Sequence, residues 1–230
     1  MRQLSLFILL TLSQYFNPIF ELLNLRMKTF RIYPSSVNGR YIEEAVETLR
    51  NGGIVVYPTD SLYALGCDAL NNRAIERICQ VKGIDTRRNN LSIVCESISQ
   101  ASEYARIDNI AFRLLKAYMP GPLTMILPAA TTLPKVFKNR HTVGIRIPDN
   151  PIAHALAEAL GHPLLSTSAV DPEADGEDAA NPELIGDRYS SVADIMINGG
   201  EGLTVPSTVV DLCDSANPVV LREGLGEFEV

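Results

Sequence analysis

The sequence predicts one α/β domain built on a twisted, open, mixed β-sheet, and three observations carry that prediction. Short β-branched and apolar runs are interleaved with segments whose apolar residues recur at helical spacing. Some of the apolar runs follow one another with no helix between them, which a strict βαβ series does not permit. No repeat and no linker divides the core, and 230 residues suffice for one large domain.

In chain order, residues 30–33 are a strand. Asn38 caps a helix over 39–51 with Ile42, Ala45, Val46 and Leu49 on one face, and Gly52 and Gly53 end it. Residues 53–57 are a strand, and Asn71 or Asn72 caps a helix closed by Gly83, with Ile75, Ile78 and Val81 on one side. Strands are expected at 91–95, 123–127, 142–147, 164–165 and 193–197. Helices are expected at 99–105, 108–118, 151–160 (opened by Pro151 and closed by Gly161) and from Asn181-Pro182 to Tyr189. Residues 171–180 are small and acidic and read as a flexible loop. The last two runs, 207–212 and 218–222, read as a hairpin.

The stretch that organises the chain is 52–68, GGIVVYPTDSLYALGCD. Ile54 to Tyr57 suit a strand covered on both faces, and Pro58, with no N–H, ends its ladder. Thr59, Asp60, Ser61 and Tyr63 then fall just past the strand's C-terminal end, where open α/β sheets bind ligands. A turn whose side chains satisfy their own backbone is the alternative for the segment alone.

Composition narrows the function. Hydrophobic residues make up 46% of the chain, charged residues 20%, and the net charge is −7, which excludes a surface that grips nucleic acid all over. Cys67, Cys79, Cys95 and Cys213 match neither zinc nor dithiol spacing and read as buried free thiols of a reducing, cytoplasmic compartment. Arg2 and the apolar run LSLFILLTL resemble the start of a signal segment, but the run is too short to span a bilayer and no small-x-small cleavage site follows. Residues 1–26 are therefore read as an extension upstream of a natural start at Met27. A signal peptide or membrane-surface anchor is the alternative.

There is no phosphate loop of the GxxxxGK[ST] type, no GxGxxG, no nucleophile elbow and no metal spacing among His141, His154 and His162; His154 and Glu158 share a helix face as a solvated contact. What remains is a set of hydroxyls and cations at element ends. Thr59 and Ser61, Ser166 and Ser168, and Ser207 and Thr208 are hydroxyl pairs. Lys82, Arg146 and Arg222 lie in or beside apolar elements. A guanidinium on a strand such as VGIRIP or VVLREG must either pair with a carboxylate or face a ligand. Together these groups suit a carboxylate or phosphate.

PTDSLYALG, a helix-ending Lys-Gly, PGPLT, GIRIPDNP, LSTSA, PSTVVDL and REG occur in this order across 37–228, and with them the chain resembles the Sua5/YrdC/YciO family. The resemblance implies a YrdC/RibB-like twisted open sheet with a large concave cavity. It implies synthesis of L-threonylcarbamoyladenylate from L-threonine, bicarbonate and ATP, with Mg²⁺ and release of pyrophosphate, for the threonylcarbamoyl modification of adenosine 37 in tRNA. Residue by residue, it implies a threonine pocket of Thr59, Ser61, Tyr63, Arg146 and Ser207, with Arg146 on the carboxylate. It implies nucleotide contacts from Lys82, Thr124, Ser168, Thr208 and Arg222, with Lys82 and Arg146 as the catalytic cations.

Two positions depart from the family's synthases. Their Lys-x-Arg reads here Lys82-Gly83-Ile84, and their Ser-x-Asn reads Ser168-Ala169-Val170. Both losses resemble the YciO branch; Arg87 or Arg88 is the candidate substitute cation. One lost charge-assisted phosphate contact costs about 1.5–3 kcal/mol, or roughly tenfold or more in rate. The resemblance thus implies a weak or divergent synthase. The alternatives are a YciO-type protein that binds double-stranded RNA or tRNA without this activity, and an enzyme of similar fold acting on a sugar phosphate.

Overall fold

The structure is a computed structural model and describes residues 27–85, 91–134, 137, 141–170 and 176–229. The extension 1–26 and the candidate cations Arg87 and Arg88 lie outside the described residues.

Ten strands form one sheet: β1 (Lys28–Arg31), β2 (Val55–Tyr57), β3 (Ala64–Asp68), β4 (Ser92–Val94), β5 (Leu123–Pro128), β6 (Thr142–Arg146), β7 (Leu164–Ser168), β8 (Ile195–Asn198), β9 (Thr208–Asp211) and β10 (Val219–Arg222). Their order is β1-β8-β2-β3-β7-β4-β6-β5-β9-β10. Four neighbouring pairs are parallel and five antiparallel, so the sheet is mixed, as the adjacent runs required. It follows that there is no shared C-terminal edge at which ligand groups can gather, and the rule for parallel sheets does not place this site.

The described helices are α1 (Gly39–Arg50), α2 (Asn72–Lys82), α3 (Ile98–Tyr104), α4 (Asn109–Tyr118), α5 (Pro151–Leu160), α6 (Gly176–Ala180) and α7 (Pro182–Tyr189). Asn38, Asn71, Asn150 and Asn181 each accept backbone N–H groups from the first turn of the helix they precede. Gly83 (φ 61°) and Gly161 (φ 82°) close α2 and α5 in the left-handed region.

The two faces of the sheet bury separate cores. Val55 and Tyr57 point to one face with Val94 and Leu164, under α1 and α5. Ile54 and Val56 point to the other, under α2, α3, α4 and α7. The two-residue strand period therefore explains why IVVY is apolar throughout. Helices α1 and α5 cover the face toward the β1 side; the same face toward β10 is left open and becomes part of the site.

Four expectations change. Residues 64–68, read as loop, are the central strand β3, because the segment after Pro58 turns back against β2 with Val55 opposite Gly66. Residues 176–180, expected to be flexible, form α6; Ala179 and Ala180 are buried, so their small size serves packing. The first strand is Lys28–Arg31, two residues earlier than read. Cys213 is exposed, while Cys67, Cys79 and Cys95 are buried and free. Among the described residues no helix is long and apolar enough to cross a membrane.

Candidate functional site

The turn after β2 is built by its own side chains. Thr59 Oγ1 accepts from Ser61 N (3.0 Å) and donates to the Leu62 carbonyl (2.7 Å), which shapes the loop and sets Ser61. Asp60 uses both oxygens: one accepts from Arg146 Nη2 (2.8 Å), the other from Asp149 N just before α5 (2.8 Å). Arg146 Nη2 also donates to Ser61 Oγ (3.0 Å). The ion pair is buried, with the two side chains 11% and 8% exposed. Arg146 thus satisfies both expectations at once: it pairs with an aspartate and it lines a cavity. Its Nε is buried with no hydrogen-bond partner among the described residues.

Arg222 reaches the cavity by a break in register. Val220 pairs with Val210, but Arg222 pairs with Val209, so one extra residue is accommodated between them. Without that bulge Arg222 would fall on the face of Val210, which belongs to the opposite core; with it, Arg222 shares the cavity face with Val209. Its Nη2 and Nε donate to the Ser207 carbonyl (2.7 and 3.2 Å), and Ser207 Oγ lies 2.9 Å from Thr124 Oγ1. Burial and, after it, the charge of Arg146 lower the Arg222 pKa, so the two cations feel one another. Among the described residues Arg222 forms no ion pair.

These groups surround a cavity of about 570 Å³. Ser61, Thr124, Arg146, Ser168, Ser207 and Arg222 line it, and the two arginines are its only charged lining among the described residues. Ser166, Ser92 and Ile126 of its lining belong to one row of facing residues across five strands, Gly66, Ser166, Ser92, Gly144 and Ile126. A Cβ on Gly144 would stand 2.5 Å from Ser92 Oγ, so only glycine keeps the floor low there. An apolar wall completes the cavity with Leu62, Ile78, Ile84, Leu91, Val170 and Ala179. Both departures from the synthase pattern, Ile84 and Val170, are therefore part of the wall itself.

The other expected residues stand elsewhere. Thr59 acts behind Ser61. Tyr63 is fully buried; its hydroxyl donates to the Gly200 carbonyl (2.6 Å) and accepts from Gly199 N (3.0 Å), fixing the turn after β8. Thr208 Oγ1 donates to the Gly226 carbonyl and accepts from Gly224 N, holding the C-terminal turn to β9. Lys82 lies in a separate pocket of about 270 Å³ with Val81, Arg188, Tyr189 and Val192. Its Nζ donates to Tyr189 Oη (3.2 Å) and sits 5.9 Å from the ring centroid. Sequence reasoning missed Ser92 and the fixed position of Asp60. The signal for Ser92 was present: it is the one hydroxyl in the run Leu91-Ser92-Ile93-Val94. Among the described residues no cluster of His, Cys, Asp and Glu is arranged to hold a metal.

A family model for Sua5, YciO and YrdC proteins, which carries the description telomere recombination, matches residues 47–224. The chain belongs to this family. Within the family it is 44% identical over 202 residues to the uncharacterized protein YciO of Escherichia coli K12, covering 87% of this chain and 97% of that one. The crystal structure of Escherichia coli YciO superposes with a TM-score of 0.81 at 43% identity, over 87% of this chain and 97% of that one. The structure of Pyrococcus abyssi Sua5 complexed with L-threonine superposes with a TM-score of 0.75 at 31% identity, over 86% of this chain and 57% of that one. A threonylcarbamoyl-AMP synthase of Bacillus subtilis is 33% identical over 82% of this chain and 55% of its own length. The family model thus spans β2 to β10, and this chain matches little more than half the length of the Pyrococcus abyssi and Bacillus subtilis proteins.

Proposed function

We propose that the protein is a nucleotidyltransferase of the L-threonylcarbamoyladenylate synthase type with slow turnover. One observation carries the reading: Arg146, held by Asp60 and Ser61, lines the cavity where Ser207, Thr124 and Arg222 also meet. A carboxylate against Arg146 gains charge-assisted hydrogen bonds from a guanidinium that is already oriented. The likeness to a Sua5 structure that holds L-threonine supports an amino acid as its bearer.

Arg146 and Ser61 orient the threonine carboxylate, so that the amine, carboxylated by bicarbonate, faces the α-phosphorus of ATP. Arg222, Thr124 and Ser207 bind the phosphoryl oxygens as pyrophosphate leaves. The protein's contribution is positioning and charge, with no covalent intermediate. No carboxylate lines the cavity among the described residues, so the donor set does not fit a resident Mg²⁺, and no step is assigned to one. Slow turnover follows from the wall: Ile84 and Val170 offer a phosphate neither charge nor hydrogen bond.

The test is incubation with ATP, L-threonine and bicarbonate, reading pyrophosphate release and the adenylate. Threonine-dependent release that disappears in Arg146→Met supports the reading. Absence of release together with absence of threonine binding overturns it.

A further inference from the structure

The floor of the cavity contains a pair of hydroxyls that neither Arg146 nor Arg222 uses. Ser92 in β4 and Ser166 in β7 are directly opposite one another, on the same face as the Arg146 row, and both line the cavity. Behind them stands Tyr57, wholly buried, whose hydroxyl donates to Ser166 Oγ at 2.8 Å. Burial holds the Tyr57 pKa up, at about 12, so this proton stays in place at any ordinary pH. With its oxygen accepting from Tyr57, Ser166 keeps its own proton for another acceptor, and it has none among the described residues although it is 7% exposed. Ser92 Oγ likewise has no hydrogen-bond partner among them. Gly144 and Gly66 flank the pair; a side chain at either would collide, with Ser92 at 2.5 Å or with the Tyr57 ring at 2.6 Å. The floor is therefore low and carries two aligned donors.

The two hydroxyls share the cavity with the guanidinium. Ser92 lies in the strand next to Arg146, diagonal to it by two residues on the same face. The charges of both Arg146 and Asp60 are felt at the Tyr57 hydroxyl, which itself touches Ser166. An α-amino acid anchored through its carboxylate on Arg146 has its nitrogen, and whatever is joined to it, within the cavity that these hydroxyls line.

We infer that Ser92 and Ser166, with Tyr57 as the positioning residue behind them, form the subsite for the carboxyl oxygens of bicarbonate and of the N-carboxy group it becomes on the amino acid. The inference rests on the synthase-type reading and assigns the co-substrate's place within it. In the step served, the amine nitrogen bonds to the bicarbonate carbon, one C–O bond breaks, and water leaves, giving the N-carboxylate. Two neutral hydroxyl donors suit its oxygens; a third cation here would hold the carboxylate too firmly to attack phosphorus.

The experiment separates the subsite from the overall activity. Affinities for L-threonine and for N-carbamoyl-L-threonine, a stable mimic of the carboxylated amine, are measured by calorimetry without ATP for wild type, Ser92→Ala, Ser166→Ala, the double variant and Tyr57→Phe. The wild type is expected to favour the carbamoyl compound by about threefold, its single carbonyl oxygen accepting one of the two neutral hydrogen bonds that the N-carboxylate would take. The double variant should lose that preference while its threonine affinity stays within about twofold. Tyr57→Phe should lose part of it, since Ser166 is then free to rotate. A preference that survives in the double variant, or a wild type with no preference that still binds threonine, overturns the subsite. Pyrophosphate release, assayed separately, decides the synthase reading: release with unchanged bicarbonate KM in the double variant overturns the subsite and leaves that reading standing.

Discussion

The charged wall and the apolar wall of the cavity are built by opposite means. On the charged side every group is held by another: Arg146 by Asp60 and Ser61, Arg222 by the Ser207 carbonyl, Ser207 by Thr124. On the other side, Ile84, Leu91, Ile78 and Val170 offer only packing, and Lys82, the expected phosphate ligand, rests against Tyr189 in a different pocket. On the proposed function, amino-acid binding and nucleotide chemistry come apart between these two walls.

The sharpest way to break the contrast is to remove the support of the charged wall. Asp60→Ala leaves Arg146 buried without its partner and unties the loop from α5. Loss of one member of a buried pair is expected to cost about 3–5 kcal/mol, read by urea unfolding, and to abolish threonine binding. A loss below about 1 kcal/mol would mean the pair is screened by solvent and the wall is not pre-formed.

Next in size is the alkaline limb of stability. Folded Tyr57 keeps its proton to about pH 12, whereas an unfolded tyrosine releases it near 10.0. The folded state therefore binds more protons in that window. This contribution to stability is complete below pH 10 and is lost as pH rises toward 12, on the order of 2–3 kcal/mol. Tyr57→Phe should flatten the part of the decline that belongs to this residue; an unchanged decline would place its cause at other groups, such as the buried thiols Cys67 and Cys95, which burial also pushes up.

The apolar wall is tested by supplying what it lacks. Ile84→Arg with Val170→Asn should raise threonine-dependent pyrophosphate release by about tenfold. The Ser168–Val170 turn is held by backbone groups and Ser168 Oγ, so it does not need the valine side chain. The two effects need not add, since both residues face one ligand. No gain would mean the cavity has been shaped for another ligand. The smallest effect on activity is expected at Lys82: replacement by methionine should change the KM for ATP less than about threefold, because its Nζ rests on Tyr189 in the other pocket. A tenfold rise in KM would bring Lys82 into the nucleotide site after all.

Much of this contrast was legible in the sequence, and the rest was hidden for definite reasons. Helix ends were readable because Asn38, Asn71, Asn181, Gly83 and Gly161 act on the chain within a few residues. The apolar faces of α1 and α2 were readable from their period. Strand β3 was not, since Ala64-Leu65-Gly66-Cys67 lacks β-branched residues and is made a strand by neighbours on both sides. That Ser92 meets Ser166, that Asp60 meets Arg146, and that both Ile84 and Val170 reach the same cavity are consequences of register and order between segments distant in sequence. The bulge that turns Arg222 inward is a single-residue event in VVLREG that no periodicity reveals.

That bulge has a kinetic consequence. Arg222 stands on the last strand of the sheet, hydrogen-bonded on one side only, and its fixed point is a backbone carbonyl. An edge strand opens more readily than a central one, so one of the cavity's two cations is mounted on its least protected strand. Binding an anion there links ligand occupancy to local unfolding. Amide hydrogen exchange in Val219–Arg222 should slow when the cavity is filled, while exchange in β4 and β7, which are enclosed on both sides, stays as it was.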